Sequence, residues 1–414
     1  MTTDHPSPGR SAPDVAAILE QWLADVTPDR APARLLEESF ARTSSARQLR
    51  AWPWQRWRSG DWIGAPTLRS GSALTVLAVT ALLLALLGLV VPLIGGPRQP
   101  APTSSPSASL SAAVPIEPTG AVAVSRPFAI ATDGSALWVL AEQGRVSRID
   151  PSAVTVTATA DLTPAGHAYQ SIAAGAAAVW VTDRDAGTVI RLDPTTLAIV
   201  STIAVGSAPK GILATASGIW VALTAGGAVV RIDPATNTVV ATTPVGQAGP
   251  SGPNWLADGF GSIWVGVPNT QSVYRIDDAT GSIVATIAIP PAVVPCGGLA
   301  VGLVEVWVTS CDNETSLARI DAGTNVVVAT VPIQGFAYSA LVVEGRPWLS
   351  VTPGAGGAAT VERIDPATNR VDAVLSLGPT YTVGGDMADA GGSTWLLDAA
   401  RNQVVRIVLP VPSL

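Results

Sequence analysis

The chain has 414 residues, of which 48% are apolar and only 13% charged; the length allows two or three domains and the composition excludes a disordered polymer. The formal charge of −7 excludes wholesale nucleic-acid binding. Two cysteines and two histidines exclude a cysteine-rich zinc module or a disulfide scaffold, and no metal or cofactor set is expected.

Near the N-terminus Val15, Ile18, Leu19, Trp22, Leu23 and Val26 fall on one stripe at helical spacing. Ser11 caps this helix, Pro13 opens it and Pro28 stops it. A second helix is expected over 32–47, carrying Leu35, Leu36 and Phe40. Residues 1–70 are read as a small helical segment with a thin core.

From Ala73 to Ile94 run 22 residues without a charge. As a helix they span about 33 Å, enough for one transmembrane crossing. Eight arginines lie between Arg30 and Arg69, whereas only Arg98 lies between Gly95 and Ser125. The positive-inside rule therefore expects residues 1–70 in the cytosol and the bulk of the chain outside the cell membrane. Trp52, Trp54, Trp57 and Trp62 suit the interfacial belt just before the span. Residues 95–119, rich in Pro, Ser and Ala, read as an extended spacer.

The rest of the chain, 120–414, is an internal repeat. A tryptophan followed by Val or Leu recurs at Trp138, Trp180, Trp220, Trp264, Trp307, Trp348 and Trp395. An arginine follows each, at Arg148, Arg191, Arg231, Arg275, Arg319, Arg363 and Arg406, spaced 43, 40, 44, 44, 44 and 43 residues apart. Seven such units, rich in Val, Ile, Thr and Gly, predict an all-β, seven-bladed β-propeller.

One unit shows the expected blade. GILAT (211–215) reads as strand a, GIWVAL (218–223) as strand b, AVVRID (228–233) as strand c, and 238–246 as strand d. Between c and d, Asp233-Pro234-Ala235-Thr236-Asn237 is a turn, repeated verbatim at 365–369. Its Asp binds backbone N–H groups and its Asn tolerates a left-handed backbone. The repeated aspartates and arginines are therefore structural. The last unit ends without a strand d, while residues 120–125 match the strand d that precedes later units. They are expected to close the ring and remove an exposed edge.

The pattern WVxL–G–VxRIDPxTNxVVATIxVG resembles the bacterial YVTN-type and streptogramin-lyase-like propellers, over Thr119 to the C-terminus. The segment from Val15 to Trp62 resembles the short helical N-termini of single-pass actinobacterial-type membrane proteins, anti-sigma-like regulators among them. That second resemblance implies a cytosolic regulatory partner.

Resemblance to such propellers implies that ligands meet the face carrying the d–a and b–c loops. The d–a loops hold Arg126, Phe128, His167, Tyr169, Lys210, Asn254, Trp255, Phe336, Tyr338 and Tyr381. These residues differ from blade to blade while the strands repeat. Aromatic rings with a few polar groups suit a ligand or peptide site; the alternative is that they only cover the mouth of the channel. No catalytic residue is assigned. A Ser-His-Asp arrangement has only His167 to use, and no G-x-S-x-G elbow is present. Asp183-Arg184-Asp185-Ala186-Gly187 has the wrong spacing for a calcium loop.

Cys296 is expected to open strand a of the fifth unit and Cys311 to close its strand b, with their midpoint in the a–b turn. An antiparallel hairpin places them opposite each other, and the compartment outside the membrane favours a disulfide; two free thiols are the alternative. The leading expectation is thus a membrane-anchored extracellular propeller that binds an extracellular ligand or protein, with a sensory role as one form. A streptogramin-lyase-like or other lyase or hydrolase acting on a small molecule is the alternative, and a purely structural envelope protein a third reading.

Overall fold

The computed structural model describes residues 113–410, apart from 312–314, 353–357, 379–380 and 382 and the side chains of 383 and 384. The expected cytosolic helices, the membrane span at 73–94 and the spacer up to residue 112 lie outside the described residues. Among the described residues no helix is long and apolar enough to cross a membrane.

Seven antiparallel sheets follow the seven repeats. In the third blade the strands are Pro209–Thr215, Gly218–Leu223, Ala228–Asp233 and Thr238–Pro244, close to the expected bounds. The innermost strands make a closed cycle. Pro127–Thr132 contacts Tyr169–Gly175, and contacts continue blade by blade to Val383–Ala390, which returns to Pro127–Thr132. The orphan strand is where the repeat predicts it. Gly120–Ala123 pairs antiparallel with Gln403–Ile407, so the first residues of the ring complete its last blade.

The two marks of the repeat are one structural unit. Every repeat tryptophan lies directly opposite its arginine on the neighbouring strand, from Trp138 opposite Arg148 to Trp395 opposite Arg406. The tryptophans are almost wholly buried. Each sits in a different apolar cluster, and each cluster joins two adjacent blades. Strand b is buried on both faces because both faces meet another blade, which explains its continuous apolar run.

Among the described residues five of the seven arginines tie their blade to the next. Arg191 donates to the Pro234 carbonyl at 2.7 Å and to Asn237 Oδ1 at 2.8 Å. Arg275 reaches the Ala322 carbonyl and Asn325 Oδ1 in the same way. Arg406 carries the pattern across the join to the Pro151 carbonyl at 3.3 Å. Asn237, Asn325 and Asn369 take the left-handed backbone at φ 56, 57 and 54°. The turn aspartates accept from the backbone, as Asp233 does from the Ala235 N–H at 2.9 Å. Those backbone bonds hold the Asp150 and Asp193 carboxyls below the usual range.

Two details go beyond the sequence reading. Val114–Pro115, inside the expected spacer, pairs parallel with the outer strand Arg370–Ser376 of the sixth blade and makes that sheet five-stranded. The spacer therefore ends against the propeller rather than at residue 119. Cys296 and Cys311 are disulfide-bonded with Cα atoms 5.3 Å apart. They lie just beyond the strands Leu299–Val301 and Glu305–Val308, whose register, Leu299 opposite Val308, continues to place them opposite each other.

Candidate ligand-binding face

The d–a and b–c loops share one end of every blade, since the strands within a blade alternate in direction. The candidate residues therefore lie on one face, but they do not make one constellation. Phe128, His167 and Tyr169 line a recess of about 220 Å³ together with Glu142, Gln143, Gly144, Gly166 and Ala168. Arg126 lines a neighbouring hollow of about 310 Å³, whose walls include Glu142, Gln143, Arg145 and Asp161. Lys210 and Trp255 form a second pair, with the ammonium 5.4 Å from the indole centre. Phe336 and Tyr338 belong to the innermost strand of blade six, and Tyr338 is exposed. Tyr381 is covered by the Arg401 guanidinium at 3.9 Å and packs on the cluster between blades six and seven. Among the described residues none of these last three lines the first recess.

The recess is held from several sides. His167 Nδ1 is 2.8 Å from Asp183 Oδ2. Asp183 is almost fully buried, and its other oxygen accepts from the Asp185 and Ala186 N–H groups. A carboxylate fixed by the backbone in this way sets the orientation of the imidazole and favours the tautomer with its proton on Nδ1. Among the described residues His167 Nε2 has no hydrogen-bond partner, so it is the nitrogen available to a ligand. Tyr169 donates its hydroxyl to the Pro164 carbonyl at 2.9 Å. Burial first, and the Asp183 charge second, push the Tyr169 phenol up, so it is a neutral donor at physiological pH.

The walls carry opposite charges. Arg126 pairs with Glu142 at 2.7 Å, and Arg145 with Asp161 at 2.7 Å. Both pairs are exposed, so they shape the rim more than they stabilise the fold. Among the described residues no group of three or more His, Cys, Asp or Glu side chains is placed to hold a metal ion.

Sequence reasoning set Asp183 aside with the rejected calcium loop and missed Glu142, Arg145 and Asp161. The signal for Asp183 was present. The b–c turn of blade two reads Asp183-Arg184-Asp185-Ala186-Gly187, where blade three has Leu223-Thr224-Ala225-Gly226-Gly227. That departure from the repeat marks the turn, but only the fold shows that His167 stands beside it.

No protein-family model and no curated protein matches the chain. Solved structures do. A streptogramin B lyase superposes with a TM-score of 0.59 at 17% identity, covering 69% of this chain and 94% of the lyase. A catalytically inactive histidine-to-alanine variant of virginiamycin B lyase from Staphylococcus aureus, determined with quinupristin, gives 0.59 at 18% identity over 69% and 95%. BamB from Moraxella catarrhalis gives 0.51 at 14% identity over 68% and 84%. At these identities the likeness establishes the propeller fold, which hosts unrelated functions.

Proposed function

We propose that the chain is a membrane-anchored extracellular propeller that binds a small ligand on the face carrying the d–a and b–c loops. The observation that carries this reading is the convergence of Phe128, His167 and Tyr169 on one recess, with the imidazole oriented by the buried Asp183. The repeat residues have structural work inside the ring; these do not repeat, and they present rings and polar atoms to a cavity. Anchoring draws on the uncharged run 73–94 and the arginine asymmetry around it. The Cys296–Cys311 disulfide fits an oxidising compartment. The cytosolic segment would then carry a signal to a regulatory partner.

Two experiments test this reading. Protease added to intact spheroplasts should degrade the propeller and spare residues 1–70; a protected propeller would contradict the topology. A thermal-shift screen of small molecules against the full chain should give ligands whose effect is lost in His167→Ala and Tyr169→Phe. Ligands that ignore both substitutions would contradict the assignment of the face.

One observation favours a second reading, a lyase or hydrolase. An imidazole whose Nδ1 faces a buried carboxylate and whose Nε2 is open is arranged for proton transfer. Quinupristin, present in one of the similar structures, is a direct probe. Conversion of quinupristin that disappears in His167→Ala would establish catalysis. Intact quinupristin, alongside His167-dependent binding of other ligands, favours the binding module.

A further inference from the structure

We propose that Lys210 and Arg184 form a seat for an oxyanion, a carboxylate or a phosphate, at the mouth of the ring between blades two and three. This rests on the reading that this face binds a ligand, and it names the charge of that ligand.

Lys210 is the single lysine among 24 basic residues. It is the second residue of the innermost strand of blade three. Its position is fixed from both sides. Thr182 Oγ1 donates to the Lys210 carbonyl at 2.9 Å, which ties it to the end of strand b of blade two, immediately before Asp183 and Arg184. On the other side the Gly211 N–H donates to the Asn254 carbonyl at 3.1 Å. A Cβ at Gly211 would run into that carbonyl, so glycine permits the close approach that sets Lys210 beside Trp255.

The ammonium is half-buried and lies over the Trp255 ring. Among the described residues it has neither an ion pair nor a hydrogen bond, and the Arg184 side chain has none either. The acids of the adjacent turn are already engaged. Asp183 holds His167 and two backbone N–H groups, and Asp185 accepts from the Ala168 N–H at 2.9 Å. Two cations thus share one corner, and among the described residues neither is ion-paired. Burial first, and the Arg184 charge second, hold the Lys210 amine below its usual range. An oxyanion between the two groups would remove both penalties. It would meet a point charge on one side and a planar fork on the other. Trp255 covers one side of the ammonium by cation–π contact and leaves its remaining donors free.

A single lysine allows a clean test on the full-length chain. Lys210 is acylated with an N-hydroxysuccinimide ester, and the rate is read by peptide mass spectrometry. Acetate, benzoate and inorganic phosphate are titrated separately, with ionic strength held constant by chloride. The seat predicts saturable protection by at least one oxyanion and none by chloride. The carboxylate and phosphate arms show which of the two it takes. Arg184 is exposed, so Arg184→Gln leaves the fold intact, and it should raise the half-protecting concentration about tenfold or more, the cost of one charge-assisted bond. Arg184→Lys should recover part of the protection. Equal rates in chloride and in every oxyanion, or protection unchanged in Arg184→Gln, would overturn the seat. If neutral compounds still stabilise the protein through His167 while no oxyanion protects Lys210, the seat falls and the binding face stands.

Discussion

The arginine of each repeat works in two directions. In blades two to six its guanidinium lies 4.9–5.5 Å from the centre of the tryptophan ring opposite it. In most blades it also donates to the c–d turn of the next blade. Arg275→Ala should therefore destabilise the fold by roughly 2 kcal/mol in urea unfolding, because the Ala322 carbonyl and Asn325 lose a charged donor. Among the described residues the Arg148 side chain hydrogen-bonds only Thr157 of its own blade, so Arg148→Ala should cost less than about 1 kcal/mol. Equal costs would mean that the contacts between blades carry no weight. Val154 occupies the turn position that Asn237, Asn325 and Asn369 hold elsewhere, and it sits at φ 56° with a β-branched side chain. Val154→Asn relieves that conformation and offers Arg406 an Oδ1 acceptor at the ring join. Thermal unfolding should show a gain of about 1 kcal/mol, and a loss would contradict the equivalence of the turns. Asp386, on the innermost strand of blade seven, is half-buried, and burial pushes its carboxyl up to about 6. The folded state therefore binds the proton more tightly than the unfolded chain. The stability contributed by protonated Asp386 is complete below about pH 4 and is lost as the pH rises through about 6. Asp386→Asn should leave stability at pH 4 nearly unchanged. At pH 7.5 it should raise stability by at most about 2–3 kcal/mol, less where channel water reaches the carboxyl. A variant that gains nothing at pH 7.5 would place the carboxyl in water.

Elements show how much of the fold was legible. The Trp and Arg marks were readable because each blade must fill the same space between two neighbours, so the same residue returns at the same register. The closing strand was readable for the same reason: residues 120–125 carry the pattern of a strand d without a blade of their own. Deleting 120–125 should expose the outer edge of Gln403–Ile407 and cause aggregation, whereas shortening 97–112 should leave the melting temperature unchanged. Light scattering during thermal unfolding checks both, and equal behaviour of the two deletions would refute the closure. The strand Val114–Pro115 was not legible. Two residues are too few to show a period, and their pairing depends on a strand more than 250 positions away. The disulfide was legible because an a–b hairpin fixes its own register, and the opposition of Cys296 and Cys311 follows from counting outwards from the turn.

At the scale of the whole molecule the functional face was only half readable. Its residues stood out by breaking the repeat, but which of them meet is decided by how seven blades close around an axis. Phe128, in blade one, shares a recess with His167 and Tyr169 of blade two, and Lys210 of blade three meets Trp255 of blade four. Tyr381, chosen on the same grounds, is covered by Arg401. Asp183 was weighed only as part of a calcium loop and set aside, because the sequence does not show its partner; the ring supplies His167. The central claim is that a ligand is held on the face of the d–a and b–c loops. Hydrogen–deuterium exchange of the full chain, with and without a ligand found by thermal shift, tests it most directly. The account predicts new protection confined to 126–128, 142–144, 163–169 and 183–186, with 209–211 and 253–255 joining them when the ligand is an oxyanion. Protection at the a–b and c–d turns of the opposite face, with these segments unchanged, would contradict it.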